Sequence, residues 1–333
     1  MSGALLTVLL RSPCRDNQVA GTDSSRASDT LYGRQERFRR PLIFAVKSMS
    51  ELLPGRPVEI AANVRRLVAP NSGPMTGPGT NTYLFGRHRS VVLDPGPALP
   101  AHVQAILEAT GGHISHVLVT HTHRDHSPAA AELAVSAGAR LVGLAPPQHP
   151  HQDQSFVPDE EPADGQLLEF ADGMDDEMDA VRLRAIHTPG HASNHVCYLL
   201  EAEQMLFTGD HVMQGATVVI PPPDGDMAAY IASLRKVQAL PLASIAPGHG
   251  VVMDDPERAL RRLIRHRLQR EARVLDRLGK MGSATVTGLL PLVYADVPQA
   301  LWPVAEFSLR AHLIKLANEG RVAVEDELWR VLR

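Results

Sequence analysis

Cysteine is almost missing from this 333-residue chain. Only Cys14 and Cys197 occur, which excludes a disulfide framework and a thiolate-based zinc site. Aromatic residues are 4% of the sequence, so stacking platforms for single-stranded nucleic acid are not obvious. No apolar run approaches the roughly 20 residues of a membrane span, and the expectation is a cytoplasmic protein with no membrane partner. An excess of one charge is also lacking. The formal net charge of −4 points by itself to neither nucleic acid nor membrane. Lysine is scarce beside arginine, which reads as genome composition and not as function. Histidine is plentiful, with 16 residues. Any metal must be held by these imidazoles and by carboxylates. The length allows about two domains, and an apolar content of 44% is ordinary for a chain with a real core.

Residues 1–48 read as a disordered extension, outside the fold. The segment from 16 to 40 is polar, rich in Ser and Arg, and aperiodic. Residues 4–10 are apolar but too short, with no basic residue ahead of them, for a secretory signal. Asp16, Asp23, Asp29 and Glu36 argue against an organellar leader. Met49 is an alternative start. From Val58 the pattern changes. Strands are expected at 64–69, 82–86 and 90–94, with a Gly- and Pro-rich loop from 71 to 81 that either overhangs a site or merely connects. A helix over 100–110 stops at Gly111-Gly112. Further strands fit 116–119, 140–144, 181–186, 196–200 and 204–207. This strand–helix–strand rhythm marks a layered α/β domain. From 153 to 179 there are eleven acidic residues and no basic one. Such a run reads as a solvated loop with an edge strand at 167–170.

The centre of the chain is His121-Thr122-His123-Arg124-Asp125-His126. A buried strand leads in. Ser127-Pro128 leads out as an N-cap and first helical proline. His121 and His123, two apart, point the same way in extended backbone. Asp125 and His126 follow a turn and can face a second ion, so one hexapeptide can seed two adjacent metal sites. The pattern resembles the H-x-H-x-D-H signature of the metallo-β-lactamase superfamily. That resemblance implies an αββα sandwich, a two-metal hydrolytic site and three further ligands downstream. The chain supplies them in order: His191 in His187-Thr188-Pro189-Gly190-His191, Asp210 in Thr208-Gly209-Asp210, and His249 in Pro247-Gly248-His249-Gly250. The likeness assigns His121, His123 and His191 to one ion, Asp125, His126 and His249 to the other, and Asp210 to both. It gives Asp94 a structural role beside the metals. Imidazole and carboxylate without thiolate suit two Zn²⁺, with Mn²⁺ or Fe²⁺ as alternatives. A hydroxide bridging the ions would attack a carbonyl or a phosphodiester, and Asp125 would carry a proton to the leaving group. His195 is a candidate contact for an anionic substrate. His187 and His211 read as supporting or core residues.

The C-terminal region reads as a linking helix over 256–279, with eight arginines from Arg258 to Arg277 and an apolar side at Leu260, Leu263, Ile264, Leu268, Leu275 and Leu278. A short helix at 287–294 and a helix at 303–318 follow, the latter with Val304, Phe307, Ala311 and Ile314 on one face. A hairpin around Asp326 ends the chain. Helix, helix, hairpin is a winged-helix pattern. This layout is similar to the β-lactamase-like protein 2 branch of the superfamily, as are the residues from Asn71 to Thr76, from Gly79 to Tyr83, His266-Arg267 and Arg270-Glu271. Residues 58–255 are then the metal domain and 256–333 the linking helix and winged-helix domain. Animal members of that branch act as endoribonucleases that prefer single strands. Residues 256–333 carry 14 Arg and Lys against 9 Asp and Glu, a local excess of +5, which suits a nucleic-acid substrate or merely a solvated surface. The alternatives are a glyoxalase-II-like thioesterase or a lactonase, with Arg267 or Arg270 gripping a carboxylate, and, in another class, a nucleic-acid-binding winged-helix protein with a metal-stabilised domain. A homo-oligomer stays open.

Overall fold

The computed structural model describes residues 52–173 and 180–332. The extension expected at 1–48 and the start at Met49 lie outside the described residues. One sheet holds β1 (Val58–Ala61), β2 (Val64–Val68), β3 (Asn81–Phe85), β4 (Ser90–Leu93), β5 (Ile114–Leu118) and β6 (Arg140–Val142), in that spatial order. Its first four strands pair antiparallel, and β4, β5 and β6 pair parallel. Parallel neighbours need crossovers, and α1 (Pro100–Thr110) and α2 (Ala130–Ala137) supply them. The second sheet runs β11 (Ser244–Pro247), β10 (Met205–Gly209), β9 (Val196–Leu200), β8 (Val181–His187) and β7 (Leu167–Phe170). Only its β10–β11 pair is parallel, joined through α3 (Met227–Gln238).

Alternation along the strands builds the layers. Val196, Tyr198 and Leu200 of β9 face the other sheet, where Phe207 meets Tyr83 and Phe85 edge-on, with ring centroids 4.8 Å apart. Cys197 and Leu199 face outward, into a second core with Tyr230, Ile231 and Leu234 of α3. On the first sheet Leu84, Val92 and Val117 face Val103, Ile106 and Leu133 of α1 and α2. Strands buried on both faces read as continuous apolar runs. The result is the expected αββα sandwich.

Three local expectations need correction. Ser127 is not an N-cap: α2 begins at Ala130, and the Ser127 hydroxyl donates to Asp153 at 2.8 Å. The acidic stretch is not merely solvated. Asp172 is 4% exposed and accepts the backbone N–H groups of Arg87, His88 and Arg89 at 2.8–2.9 Å, tying it to the β3–β4 turn of the other sheet. Burial raises its pKa, but these hydrogen bonds win and hold it below the usual carboxylate range. Asp164 pairs with Lys236 at 2.6 Å. The third is an additional helix, α3, between the strands β10 and β11. Asp226 caps it by accepting from Ala229 N at 2.9 Å.

The long helix α4 (Pro256–Met281) packs on the sandwich with Leu260 and Leu263, and on the C-terminal module with Val274 and Leu278. The module continues with β12 (Ser283–Ala284), α5 (Val286–Val293), α6 (Trp302–Asn318) and a hairpin of β13 (Val322–Glu325) and β14 (Leu328–Val331), in sheet order β12-β14-β13. This is a winged helix. Asp326 and Glu327, both at positive φ, make its tight turn. The buried face of α6 is Ser308, Leu309, Ala311, His312, Leu313 and Leu316, while Phe307 and Ile314 are exposed. Among the described residues no helix is long and apolar enough to cross a membrane.

Candidate metal centre

Four strand ends meet at one edge of the sandwich. β5 runs into Thr120 and the hexapeptide, β8 into Thr188-Pro189-Gly190-His191, β10 into Asp210, and β11 into Gly248-His249. The sheets are stitched together there. Val196 N donates to Thr120 O at 2.7 Å, and Asn81 Nδ2 and Tyr83 Oη both donate to Pro247 O, at 2.8 and 2.7 Å. Gly190, at φ +139°, lets two backbones meet: a Cβ on it would lie 2.4 Å from Tyr230 Cα. No other residue type fits that position.

Seven side chains form two adjoining groups. His121, His123 and His191 make one, and Asp125, His126, Asp210 and His249 the other, each with ligand-type atoms within 4.8 Å of one another. His123 Nδ1 lies 3.0 Å from His121 Nε2 and 2.9 Å from His191 Nε2. Asp210 spans both groups. Its Oδ1 is 3.3 Å from His249 Nε2 and 3.5 Å from His126 Nε2, and its Oδ2 is 3.6 Å from His191 Nε2. Asp125 Oδ2 is 3.3 Å from His249 Nε2 and 3.6 Å from His126 Nε2. Four donors held at 2.0–2.1 Å around a tetrahedral ion stand roughly 3.3 Å apart, close to these spacings. His126 Nε2, His249 Nε2 and Asp210 Oδ1 are buried without a hydrogen-bond partner. Orphaned donor atoms converging on one point fit a cation. The residues therefore fit the implied metals.

The tautomers are set from behind. His126 Nδ1 donates to Asp94 Oδ2 at 2.9 Å, His191 Nδ1 to Val219 O at 2.7 Å, and His249 Nδ1 to Gly79 O at 3.2 Å. Thr120 Oγ1 donates to Asp94 Oδ2 at 2.8 Å, so at 3.0 Å it accepts from His121 Nδ1. Four Nε2 atoms are thus left for the centre, as ligating histidines require. Asp94 also accepts Thr120 N at 2.7 Å, which suits the structural role expected of it. The 71–81 loop is more than a connection, because its Gly79 carbonyl orients His249. The backbone acceptors Gly79 and Val219 have no signature in the sequence, because every residue carries a carbonyl.

The two groups differ electrostatically. Burial and neighbouring imidazoles keep His121 well below its ordinary pKa, and burial with His191 takes His123 to about 3. In the other group burial opposes the charged forms, but the carboxylates win. Asp125, Asp94 and Asp210 raise His126 well above its ordinary value, and Asp210 and Asp125 bring His249 to about 9. Burial likewise opposes ionisation of Asp125, yet His126 and His249 hold it near 2.

The side chains expected to contact substrate are buried. His195 is fully buried and stacks on His121 with ring centroids 5.0 Å apart, its Nδ1 paired with Thr188 Oγ1 at 2.9 Å. It packs behind His121, closed off from solvent. Arg267 is 2% exposed. Its guanidinium donates to Val218 O and lies 5.2 Å from the Tyr230 ring centre, so its charge is turned into the packed interior. Arg270 is also buried, held by Asp296 at 2.8 Å. His211 is buried against Tyr230, and His187 Nε2 donates to Pro162 O at 2.7 Å. A cavity of about 640 Å³ lined by Arg124, His149, Gln152 and Gln154 was not foreseen. It lies beside the hexapeptide, because Asp153 N donates to Thr122 O at 2.6 Å.

Residues 75–249 match the family described as the metallo-β-lactamase superfamily, and residues 285–329 match the β-lactamase-associated winged helix domain. A β-lactamase-like protein 2 homolog of Drosophila melanogaster is 30% identical over 80% of this chain and 91% of its own. An atrochrysone carboxyl ACP thioesterase of Aspergillus chevalieri is 32% identical over 84% of this chain and 90% of its own. Among solved structures, a metallo-β-lactamase family protein from Thermus thermophilus superposes with a TM-score of 0.66 at 21% identity, over 82% of this chain and all of that one.

Proposed function

Because the chain belongs to the metallo-β-lactamase superfamily and is a hydrolase of that family, we propose that it is a cytoplasmic two-zinc enzyme cleaving an activated carbonyl, a thioester or an ester. The observation that carries this is the placement of Asp210, whose two carboxylate oxygens lie 3.3–3.6 Å from imidazole nitrogens of both groups. A closed structural zinc site uses four ligands, and seven around two adjoining positions is the design of a hydrolytic pair. When bound, two such ions supply a nucleophilic water at neutral pH and positive charge for the developing oxyanion. His121, His123 and His191 would hold one ion, and Asp125, His126 and His249 the other, with Asp210 shared. His195 and Asp94 keep the imidazoles in place. Asp125, with 29% of its side chain exposed against 12% for Asp210, is the carboxylate best placed to pass a proton to a leaving group. The cavity beside the hexapeptide offers Arg124, an exposed cation bonded to the Pro150 carbonyl, to a negatively charged end of the substrate. The domains we assign are 58–255 for this centre and 256–333 for the winged helix.

Charge in the winged helix weighs against a nucleic-acid substrate. α6 occupies the place of a recognition helix, but Arg310 is paired with Glu306 and Lys315 with Glu271 and Glu319, each at 2.7 Å. The hairpin tip is Glu325-Asp326-Glu327, all exposed, which repels phosphate. Much of the local basic excess sits on α4, where two of the eight arginines are buried. The thioesterase name of one relative supports the carbonyl reading. The test is a panel of S-lactoylglutathione, an acyl-carrier-protein thioester, an acyl-homoserine lactone, nitrocefin and single-stranded RNA, with metal-loaded and metal-stripped protein. Metal-dependent cleavage of a thioester or lactone is expected. Cleavage of RNA alone, or turnover indifferent to chelation, would overturn the proposal.

A further inference from the structure

The loop between β10 and α3 carries the carbonyl that orients His191, and it has no regular secondary structure of its own from 211 to 220. Loop backbone buried in this way needs its position set by partners. One partner comes from the far side. Val219 O accepts from the ligand His191, and the adjacent Val218 O accepts from Arg267 of α4. Val218 and Ile220 are buried at 1% and 0% exposure, so the strand of loop is clamped between the helix and the metal group. The Arg267 guanidinium also covers the ring of Tyr230, whose hydroxyl donates to His211 O at 3.0 Å, next to Asp210. Tyr230 is the residue against which Gly190, the neighbour of His191, is pressed.

From this we infer that Arg267 is a positioning residue for the metal group of His121, His123 and His191, acting through Val218-Val219. α4 thereby joins the winged helix mechanically to the metal centre. One turn further on, Arg270 serves the module instead. It donates to Val293 O and Asp296 and lies 4.3 Å from the centre of the Tyr294 ring. Arg267 and Arg270 are similarly buried guanidiniums on the same helix, 2% and 5% exposed, with partners on opposite sides of the domain junction. The chemistry at Arg267 favours a planar fork. A guanidinium can lie over an aromatic ring while its in-plane N–H reaches a carbonyl, and an ammonium does this less well. The inference rests on the two-ion reading above.

The difference between Arg267 and Arg270 gives the test. Full-length protein and the variants Arg267→Met, Arg267→Lys and Arg270→Met are loaded with zinc and titrated with a chromophoric chelator, so that each of the two ions is resolved. Arg267→Met should weaken one ion about 10-fold or more, within the range seen for groups that orient metal-binding histidines. The other ion should stay near the wild-type value, and Arg267→Lys should recover part of the loss. Arg270→Met should lower the melting temperature while leaving both zinc affinities unchanged. Should Arg267→Met not fold, Arg267→Lys carries the comparison, since it keeps a donor within reach of Val218. Wild-type zinc affinities in the Arg267 variants, or an equal loss in Arg270→Met, would overturn the inference while leaving the two-ion reading intact. Fewer than two ions in the wild type would overturn that reading, and the inference with it.

Discussion

Changing Asp94 to Asn alters the metal centre through a single proton. Asp94 is 1% exposed and sits at φ 51°, a left-handed conformation that Asn also tolerates. The substitution therefore keeps shape and backbone, and turns one carboxylate oxygen into an NH₂ donor. Oδ1 faces Thr120 N, which can only donate. The new NH₂ must take the place of Oδ2, against Thr120 Oγ1 and His126 Nδ1. Thr120 Oγ1 has lone pairs for both this amide and His121 Nδ1, so His121 keeps its tautomer. His126 has no such freedom. Its Nδ1 must now accept, and its proton moves to Nε2, the atom that faces Asp125 and Asp210. A proton there blocks ligation. Losing a partner that orients a metal-binding histidine costs 10–100-fold in affinity, about 1.4–2.7 kcal/mol, and the reversed tautomer places Asp94→Asn at the upper end. Chelator competition on zinc-loaded protein should show one ion about 100-fold weaker and the other within about 3-fold of wild type. Two unaltered ions in a folded Asp94→Asn protein would refute the tautomer argument.

Three further outcomes are expected. His121→Ala should leave turnover below about 1% of wild type, because it removes a ligand and not merely a group that orients one, while the circular dichroism spectrum stays native; retained turnover would contradict the assignment. Gly190→Ala should cost about 3 kcal/mol or more, measured by urea unfolding, since its Cβ meets the Tyr230 backbone at 2.4 Å and the φ of +139° is unfavourable for alanine. Acid should remove the contribution of Glu271. Burial raises the pKa of this group, but His312 and Lys315 prevail and bring it from 4.5 to about 2, with Lys315 at 2.7 Å and Arg321 at 3.2 Å. A carboxylate depressed on folding stabilises the fold fully above its unfolded pKa and loses that effect as pH falls towards its folded one. The stability gap between wild type and Glu271→Gln, about 3 kcal/mol from the shift, should therefore shrink between pH 5 and pH 2. A gap independent of pH would show that the ion pair is not its source.

The candidate ligand set was legible because each member announces itself locally. An apolar run gives a strand, Gly or Pro ends it, and a histidine or aspartate follows at the end that faces the site. His191, Asp210 and His249 follow this pattern, while His121, His123, Asp125 and His126 follow a strand directly and stand out by their mutual spacing; the structure brings all seven together. Other features had a signal that went unused. α3 has Asp226 as cap and apolar residues at 227, 230, 231, 234 and 237, the spacing of a half-buried helix. The face of α6 was not decidable by period. Phe307 and Ile314 make one apolar stripe and Leu309, Leu313 and Leu316 another, and only the fold of α4 and α5 against the helix chooses the second. The roles of His195 and Arg267 were out of reach for a different reason. A polar side chain near a metal motif reads as a substrate contact until burial is known, and burial is a property of the packed layers.

Those layers also explain why the centre needs both sheets. The hexapeptide hangs from β5 of one sheet, and His191, Asp210 and His249 hang from β8, β10 and β11 of the other. Neither sheet alone carries a complete group: the first has His121, His123, Asp125 and His126, and the second has His191, His249 and the carboxylate of Asp210. The spacing within each group is thus set by how the sheets pack, through Phe207 against Tyr83 and Phe85, and by the bonds that cross between the sheets at this edge, Val196 N to Thr120 O and Asn81 Nδ2 to Pro247 O. Close-packed interiors transmit small displacements and do not absorb them. The order of the six-stranded sheet carries a second consequence. β5 lies between β4 and β6, both parallel to it, so the loop that supplies four of the seven candidate ligands emerges from an interior strand held on both sides. A metal centre built on that strand is positioned by the same hydrogen bonds that hold the sheet.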